Sequence, residues 1–263
     1  MSRPVVVGVD LDAEVIKITP EMHQKMLKTL AQIIQRFNLN WKVLQALMIT
    51  TGAVISGSAV LAVLHTGDFV PQDLDIYVTS RNFATVLVFL NEQGYVVQIP
   101  PQDATIDNYT YTKSSVKLTL KDQVHNGNKI DLIATTEPQV IHAITQFHST
   151  CVMNYISYYG IVCMYPEWTM RKKALVKAST QQQVVDKYRG RGFTMAYTPA
   201  ELPGYEPNHT CGRHQCCPKT RRELHDHITL FIPLEEEGLT IHTEENRVGW
   251  VLENWKDVEC PTS

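Results

Sequence analysis

The heptapeptide Gln72-Asp73-Leu74-Asp75-Ile76-Tyr77-Val78 alternates polar and apolar side chains. A strand sends successive side chains to opposite faces. Leu74, Ile76 and Val78 therefore share one face, and Asp73, Asp75 and Tyr77 share the other. At a rise of roughly 3.3 Å per residue, the two carboxylates stand about 7 Å apart along the strand. Such a pair repels itself, and burying it requires a partner of opposite charge. A divalent cation with a preference for oxygen ligands is the natural one.

Two other segments extend this reading. Upstream, Ala53-Val54-Ile55 reads as a buried strand ending at Ser56-Gly57-Ser58, and residues 59–65 read as a helix that is apolar nearly all round. A helix start leaves backbone N–H groups unpaired, and phosphate binds well there. Gly57 lets an anion approach the main chain closely, and Ser58 adds a further donor. Downstream, the Asn126-Gly127-Asn128 turn leads into a strand from Lys129 to Ala134. Asp131 lies between Ile130 and Leu132 and so points away from both, able to supply a third carboxylate. A phosphate cradle followed by three carboxylates is the layout of metal-assisted nucleotidyl transfer, in which two Mg²⁺ ions clamp an in-line displacement.

The remaining periodicities fill in the frame. Residues 20–38 open with Pro20 and carry Met22, Met26, Leu27, Leu30, Ile33 and Ile34 at helical spacing. A second short helix is expected over 41–49, another from Arg81 to Gln93 stopped by Gly94, and one from Pro138 to about Gln146. Tyr95 to Ile99 and Tyr109 to Leu120 read as strands. From Cys151 to Gln183 the pattern is more helical, with one short strand at Gly160 to Met164 and with Asn154 and Tyr158 a turn apart on a helix. Beyond Tyr197 the chain is rich in Pro, Gly, Cys and His and loses its periodicity. The expected organisation is an N-terminal arm and helix over 1–40, a core over 41–150, a helical extension over 151–200 and a Cys/His-rich segment over 201–263. The expected fold class is α/β (α+β), a mixed β-sheet flanked by helices.

Composition narrows the function classes. At 263 residues and 44% hydrophobic content, the chain builds an ordinary core without staples. It is not collagen-like, disordered or a coiled coil. No apolar run reaches the roughly 18 residues of a membrane helix, and the N-terminus lacks the shape of a secretory signal. The expected location is intracellular, cytoplasmic or nuclear, with no membrane partner. Net charge is −3, so the protein as a whole is no electrostatic match for nucleic acid. Charge is uneven, however. Arg171, Lys172, Lys173, Lys177, Lys187, Arg189 and Arg191 crowd one stretch, with Tyr188 and Phe193 among them. That stretch reads as a solvated helix face, or as the mouth of a cleft that attracts triphosphate or RNA.

Gly57-Ser58, then Asp73-Leu74-Asp75, then a lone Asp131 in a later apolar strand resemble the signature of the nucleotidyltransferase-fold superfamily, which includes DNA polymerase beta and poly(A) polymerases. The resemblance covers roughly residues 40–150. Phe147-His148-Ser149-Thr150 and the stretch from Cys217 to Arg222 are similar to uncharacterised fungal proteins that carry this fold. The resemblance implies that Asp73 and Asp75 hold Mg²⁺ or Mn²⁺, that Asp131 completes the metal site and acts as base, and that Gly57 and Ser58 hold the β and γ phosphates of a nucleoside triphosphate. The spacing from Ser58 to Asp73 is longer than the family pattern, with Gly67 and Pro71 inside it. The acceptor is left open between RNA, a protein hydroxyl and a small molecule. The competing class is a catalytically inactive module of the same fold that binds nucleotide or a protein partner.

Other signals are weaker. Val5-Val6-Val7-Gly8-Val9-Asp10-Leu11-Asp12 resembles the opening of a haloacid-dehalogenase-type phosphatase, but Glu14 departs from its pattern and no later motif follows. His148, Ser149 and Asp131 do not make a hydrolase triad, for want of a nucleophile elbow. His209, Cys211, His214, Cys216, Cys217, His225 and His227 cluster in sequence, and Cys260 returns from the far end. Zinc takes four such ligands. Cys211, Cys217, Cys260 and His225 are the set expected for a structural Zn²⁺, against the alternative of free or buried thiols in a loop.

Overall fold

The computed structural model describes residues 16–98, 115–122, 127–202, 205–213, 217–224, 226–234, 248–252 and 260. The Val5–Asp12 stretch and His225 lie outside them. Thr19 caps the first helix, α1 (Pro20–Arg36), by accepting from the Met22 N–H, and Pro20 sits in the first turn, where its missing N–H costs nothing. Next come α2 (Trp41–Thr51), capped by Asn40 and closed by left-handed Gly52, β1 (Val54–Ser56), α3 (Gly57–Leu64) and β2 (Asp73–Thr79). After α4 (Phe83–Glu92), β3 (Tyr95–Val97), β4 (Ser115–Asp122), β5 (Lys129–Thr135) and the single turn α5 (Ile141–Ile144), the chain continues as β6 (Asn154–Ile156) and β7 (Gly160–Cys163). It then forms α6 (Pro166–Met170), β8 (Lys173–Leu175), α7 (Gln182–Arg189), β9 (Thr194–Ala196), β10 (Arg222–Glu223), β11 (Leu230–Pro233) and β12 (Gly249–Trp250).

Eight strands form one mixed sheet in the order β11-β7-β6-β1-β2-β5-β4-β3, in which only the β2–β5 pair is parallel. Both faces are covered, which explains why its central strands are buried almost throughout. Leu74, Ile76, Val78, Ile130 and Leu132 pack against α1, α2 and α4 through Met26, Leu30, Met48 and Leu90. Val54, Tyr77, Ile133 and Tyr155 face the opposite core, built from Ile144, Phe147, Trp168, Val185 and Trp250. Helix α3 is buried on every side, which accounts for its unbroken apolar sequence. Two small sheets, parallel β8–β9 and antiparallel β10–β12, complete the fold. Among the described residues no helix is long and apolar enough to cross a membrane.

The expectation of a helical extension over 151–200 is corrected. That stretch supplies β6 and β7 to the main sheet and β8 and β9 to a small one, and its helices α6 and α7 are short. Asn154 begins a strand, so Asn154 and Tyr158 are not stacked on a helix. The physical reason is that β6 and β7 are buried on both faces, and a short run apolar on both sides carries no period that separates strand from helix. The helix expected from Pro138 also shrinks to one turn at α5.

Candidate functional site

Strand register builds the site. Ser56 of β1 pairs with Asp75 of β2, and Asp75 pairs in turn with Asp131 of β5. Neighbouring strands lie roughly 4.8 Å apart, so the two carboxylates stand side by side on one face of the sheet. Asp73, two residues before Asp75, shares that face. Ser58 Oγ lies 3.5 Å from Asp73 Oδ1. Asp131 is 5% exposed, the most buried of the three. All three line one cavity of about 330 Å³, together with Gly57, Ser58, Tyr77, Phe147, His148, Val152, Gln183, Val184, Lys187 and Tyr188. Every residue expected at the transferase centre therefore lines this single cleft.

Gly57 is fixed here by two independent constraints. Its φ of +70° is a left-handed conformation that L side chains rarely adopt. A Cβ at Gly57 would also collide with Asp75 Oδ2. The backbone turn at the start of α3 therefore packs directly on the Asp75 carboxyl. Ser56, the residue before the helix, makes no side-chain cap; its hydroxyl donates instead to the Asn154 carbonyl at 2.6 Å. Gly57 and Ser58, at the α3 start, line the cavity. The longer loop between Ser58 and Asp73 does not spoil the arrangement. Thr66 and Gly67 turn the chain through left-handed φ values of 51° and 88°, Asp68 pairs with Lys172 at 2.7 Å, and the chain returns to place Asp73 beside Ser58.

The opposite wall is cationic and aromatic. Helix α7 sets Gln183 and Lys187 at the rim while Val185 and Tyr188 anchor it in the core. Behind the lining, Arg191 lies with its guanidinium carbon 4.2 Å from the Phe69 ring centre and 5.3 Å from that of Tyr188. The His148 ring packs on Tyr188 at 5.6 Å, and its Nδ1 is buried with no hydrogen-bond partner among the described residues. Burial pushes the His148 imidazole down to about 4, and the nearby Lys177 and Lys187 charges add to the effect. His148 is therefore neutral near pH 7. The sequence offered α7 only as part of a basic run, and His148 only within the Phe147–Thr150 stretch and a rejected hydrolase triad. The signal that singles out Lys187 is its position beside the buried aromatic Tyr188 in a short amphipathic helix.

A second cluster lies outside the cleft. His209, Cys211, Cys217 and Cys260 place one ligand atom each within 4.8 Å of one another. Three of these were expected as ligands and His209 joins them; the expected His225 lies outside the described residues. Sequence alone did not single out His209, because several histidines stand at comparable distances from the cysteines.

The described residues thus present a mixed sheet and a cleft in which three carboxylates face helix α7. The sequence matches no protein-family model and no curated protein. Among solved structures, the chain is similar to one described as "tRNA-processing enzyme (apo form I)", with 16% sequence identity and a TM-score of 0.33. The match covers 61% of this chain and 38% of that one. The site is accordingly read from its own residues.

Proposed function

We propose that this protein is a divalent-cation-dependent nucleotidyltransferase that moves a nucleoside monophosphate from a nucleoside triphosphate to an acceptor hydroxyl and releases pyrophosphate. The supporting observation is the side-by-side register of Asp75 and Asp131, with Asp73 on the same face and Gly57 packed onto Asp75. Three carboxylates lining one cavity fit Mg²⁺ or Mn²⁺ in charge and in donor type. Such a cation, when bound, neutralises phosphate charge and stabilises the attacking and leaving oxygens.

The chain's own groups supply the rest. Backbone N–H groups of Gly57 and Ser58 at the α3 start bind phosphate oxygens. Lys187 neutralises the polyphosphate from the facing rim, and Gln183 offers it an amide donor. Neutral His148 and the rings of Phe147 and Tyr188 give that end of the cleft an uncharged aromatic wall suited to a base or sugar. Asp131 accepts the proton of the acceptor hydroxyl as its oxygen bonds to the α-phosphorus. The bond from that phosphorus to the bridging oxygen breaks, and pyrophosphate leaves with the electron pair. Most of the barrier reduction comes from positioning and fixed charge. The need for triphosphate suits a cytoplasmic or nuclear setting.

The test is a scan of purified protein against the four nucleoside triphosphates with Mg²⁺ or Mn²⁺, reading pyrophosphate release and labelling of RNA ends, protein and small-molecule hydroxyls. Asp73→Ala or Asp75→Ala is expected to lower turnover by on the order of 10²–10³ or more while circular dichroism stays unchanged. Undiminished nucleotide incorporation by either variant refutes the assignment. Mg²⁺-dependent triphosphate binding that never yields pyrophosphate supports the competing reading, a non-catalytic binding module.

A further inference from the structure

We propose that His209, Cys211, Cys217 and Cys260 bind one structural Zn²⁺ that fastens the Cys260 segment to the loop preceding β10. This goes beyond the transferase reading and does not depend on it. Tetrahedral zinc with Zn–S near 2.3 Å and Zn–N near 2.0–2.1 Å implies ligand–ligand edges of about 3.8 Å between sulfurs and about 3.5 Å between sulfur and nitrogen. Cys211 Sγ and Cys260 Sγ stand 3.4 Å apart, and His209 Nε2 stands 3.4 Å from Cys260 Sγ and 4.0 Å from Cys211 Sγ. Cys217 completes the set within 4.8 Å. At 3.4 Å the Cys211 and Cys260 sulfurs are too far apart to be joined to each other as a disulfide.

The surroundings are those of a ligand set. His209 Nδ1 donates to the Glu206 carbonyl, which fixes the tautomer and leaves Nε2 as the lone-pair donor aimed at the sulfurs. The Gly212 N–H points at Cys217 Sγ from 3.5 Å, a donor suited to a thiolate. Gly212 itself has a φ of +78°, turning the chain between Cys211 and Cys217. The other two described cysteines behave differently: burial pushes the Cys151 and Cys163 thiols up to about 12, so they act as small core residues.

The site has structural work to do. Strands β10 and β12 share only two residue pairs, Arg222 with Trp250 and Glu223 with Gly249. A ribbon that short is not stable alone. Cys217 lies just before β10, and Cys260 lies beyond β12. An ion joining them closes a loop across the pair and limits its fraying. With four protein ligands the site is closed, so its role is support and not catalysis.

The full-length protein, produced in zinc-supplemented medium and kept reduced, is analysed by elemental mass spectrometry. About one zinc per chain is expected, and cobalt exchange is expected to give the visible bands of tetrahedral thiolate coordination. Cys211→Ser and Cys260→Ser are expected to lose stoichiometric zinc, whereas Asp73→Ala retains it, which separates this site from the cleft. Protein with no stoichiometric zinc and no tetrahedral cobalt spectrum overturns the proposal. So does full zinc content in both cysteine variants. The cobalt titration of unmutated protein decides the matter even if a variant fails to fold.

Discussion

Gly57 shows how much a single residue carries in this fold. It must adopt a positive φ and must also lack a Cβ, because Asp75 Oδ2 occupies the space. The first constraint costs an alanine about 1–2 kcal/mol, and the clash adds to it. Gly57→Ala is therefore expected to destabilise the protein by about 2–4 kcal/mol in urea denaturation. Asp75→Ala in the same chain should recover part of that loss. Strict additivity of the two changes would mean that the carboxyl does not press on the glycine. His148 provides a test by pH. Its folded-state pKa of about 4 lies below the ordinary 6.5, so between those values the unfolded chain binds the proton and the native protein does not. Stability then falls as pH drops from 6.5 to 4, by at most on the order of 3 kcal/mol, and rises again with pH. His148→Phe is expected to flatten that part of the stability profile. An identical slope in the variant would place the proton elsewhere.

Among the elements, β2 and α7 divide the labour of the cleft. Strand β2 is held on both sides, by β1 and β5, and its register fixes which carboxylates meet. A slip by one residue would turn Asp73 and Asp75 into the core of the other face. Helix α7 is anchored by Val185 and Tyr188 and leaves Lys187 exposed at the rim. Its contribution should be to binding and not to folding. Lys187→Ala is expected to weaken triphosphate binding about tenfold, consistent with loss of a charge-assisted hydrogen bond. Its unfolding midpoint should stay within the range of surface substitutions. Isothermal titration at two salt concentrations checks both the loss and its electrostatic origin. An unchanged affinity would remove α7 from the triphosphate path.

Across the whole molecule, the β10 region is tied to the residues after β7 by a buried charge. Arg222 is 1% exposed. Its Nε and Nη2 donate to both Asp226 carboxylate oxygens, at 2.5 and 3.1 Å, and Nη2 also donates to the Met164 carbonyl at 2.8 Å. Its guanidinium carbon lies 4.9 Å from the ring centre of Tyr165 and 5.5 Å from that of Trp250, whose indole N–H donates to Tyr165. Burial alone would raise the Asp226 carboxyl, but the Arg222 hydrogen bonds and charge and the Glu223 and Thr229 N–H groups outweigh it and hold it below the usual value. Breaking such a pair leaves a buried charge uncompensated. Asp226→Ala is expected to cost about 3–5 kcal/mol by chemical denaturation, and Arg222→Met in that background should recover much of it. A cost below about 1 kcal/mol would mean that the pair behaves like an exposed one.

The residues of the cleft were legible early because period two along Asp73–Val78, the glycine before an apolar helix and the isolated Asp131 are local patterns, set by backbone geometry that any strand or helix obeys. Among the described residues, strand and helix assignments through β5 followed for the same reason; the parts of the expected strands within residues 99–114 lie outside them. Local pattern could not supply the pairing of Asp75 with Asp131, the strand character of residues 154–163, the place of His209 beside three cysteines, or the approach of Lys187 and His148 to the carboxylates. Each of these depends on contacts between segments far apart in the chain. Burial on both faces erases periodicity, and closure of long loops is decided by the packing of the whole core and not by the residues at the loop ends.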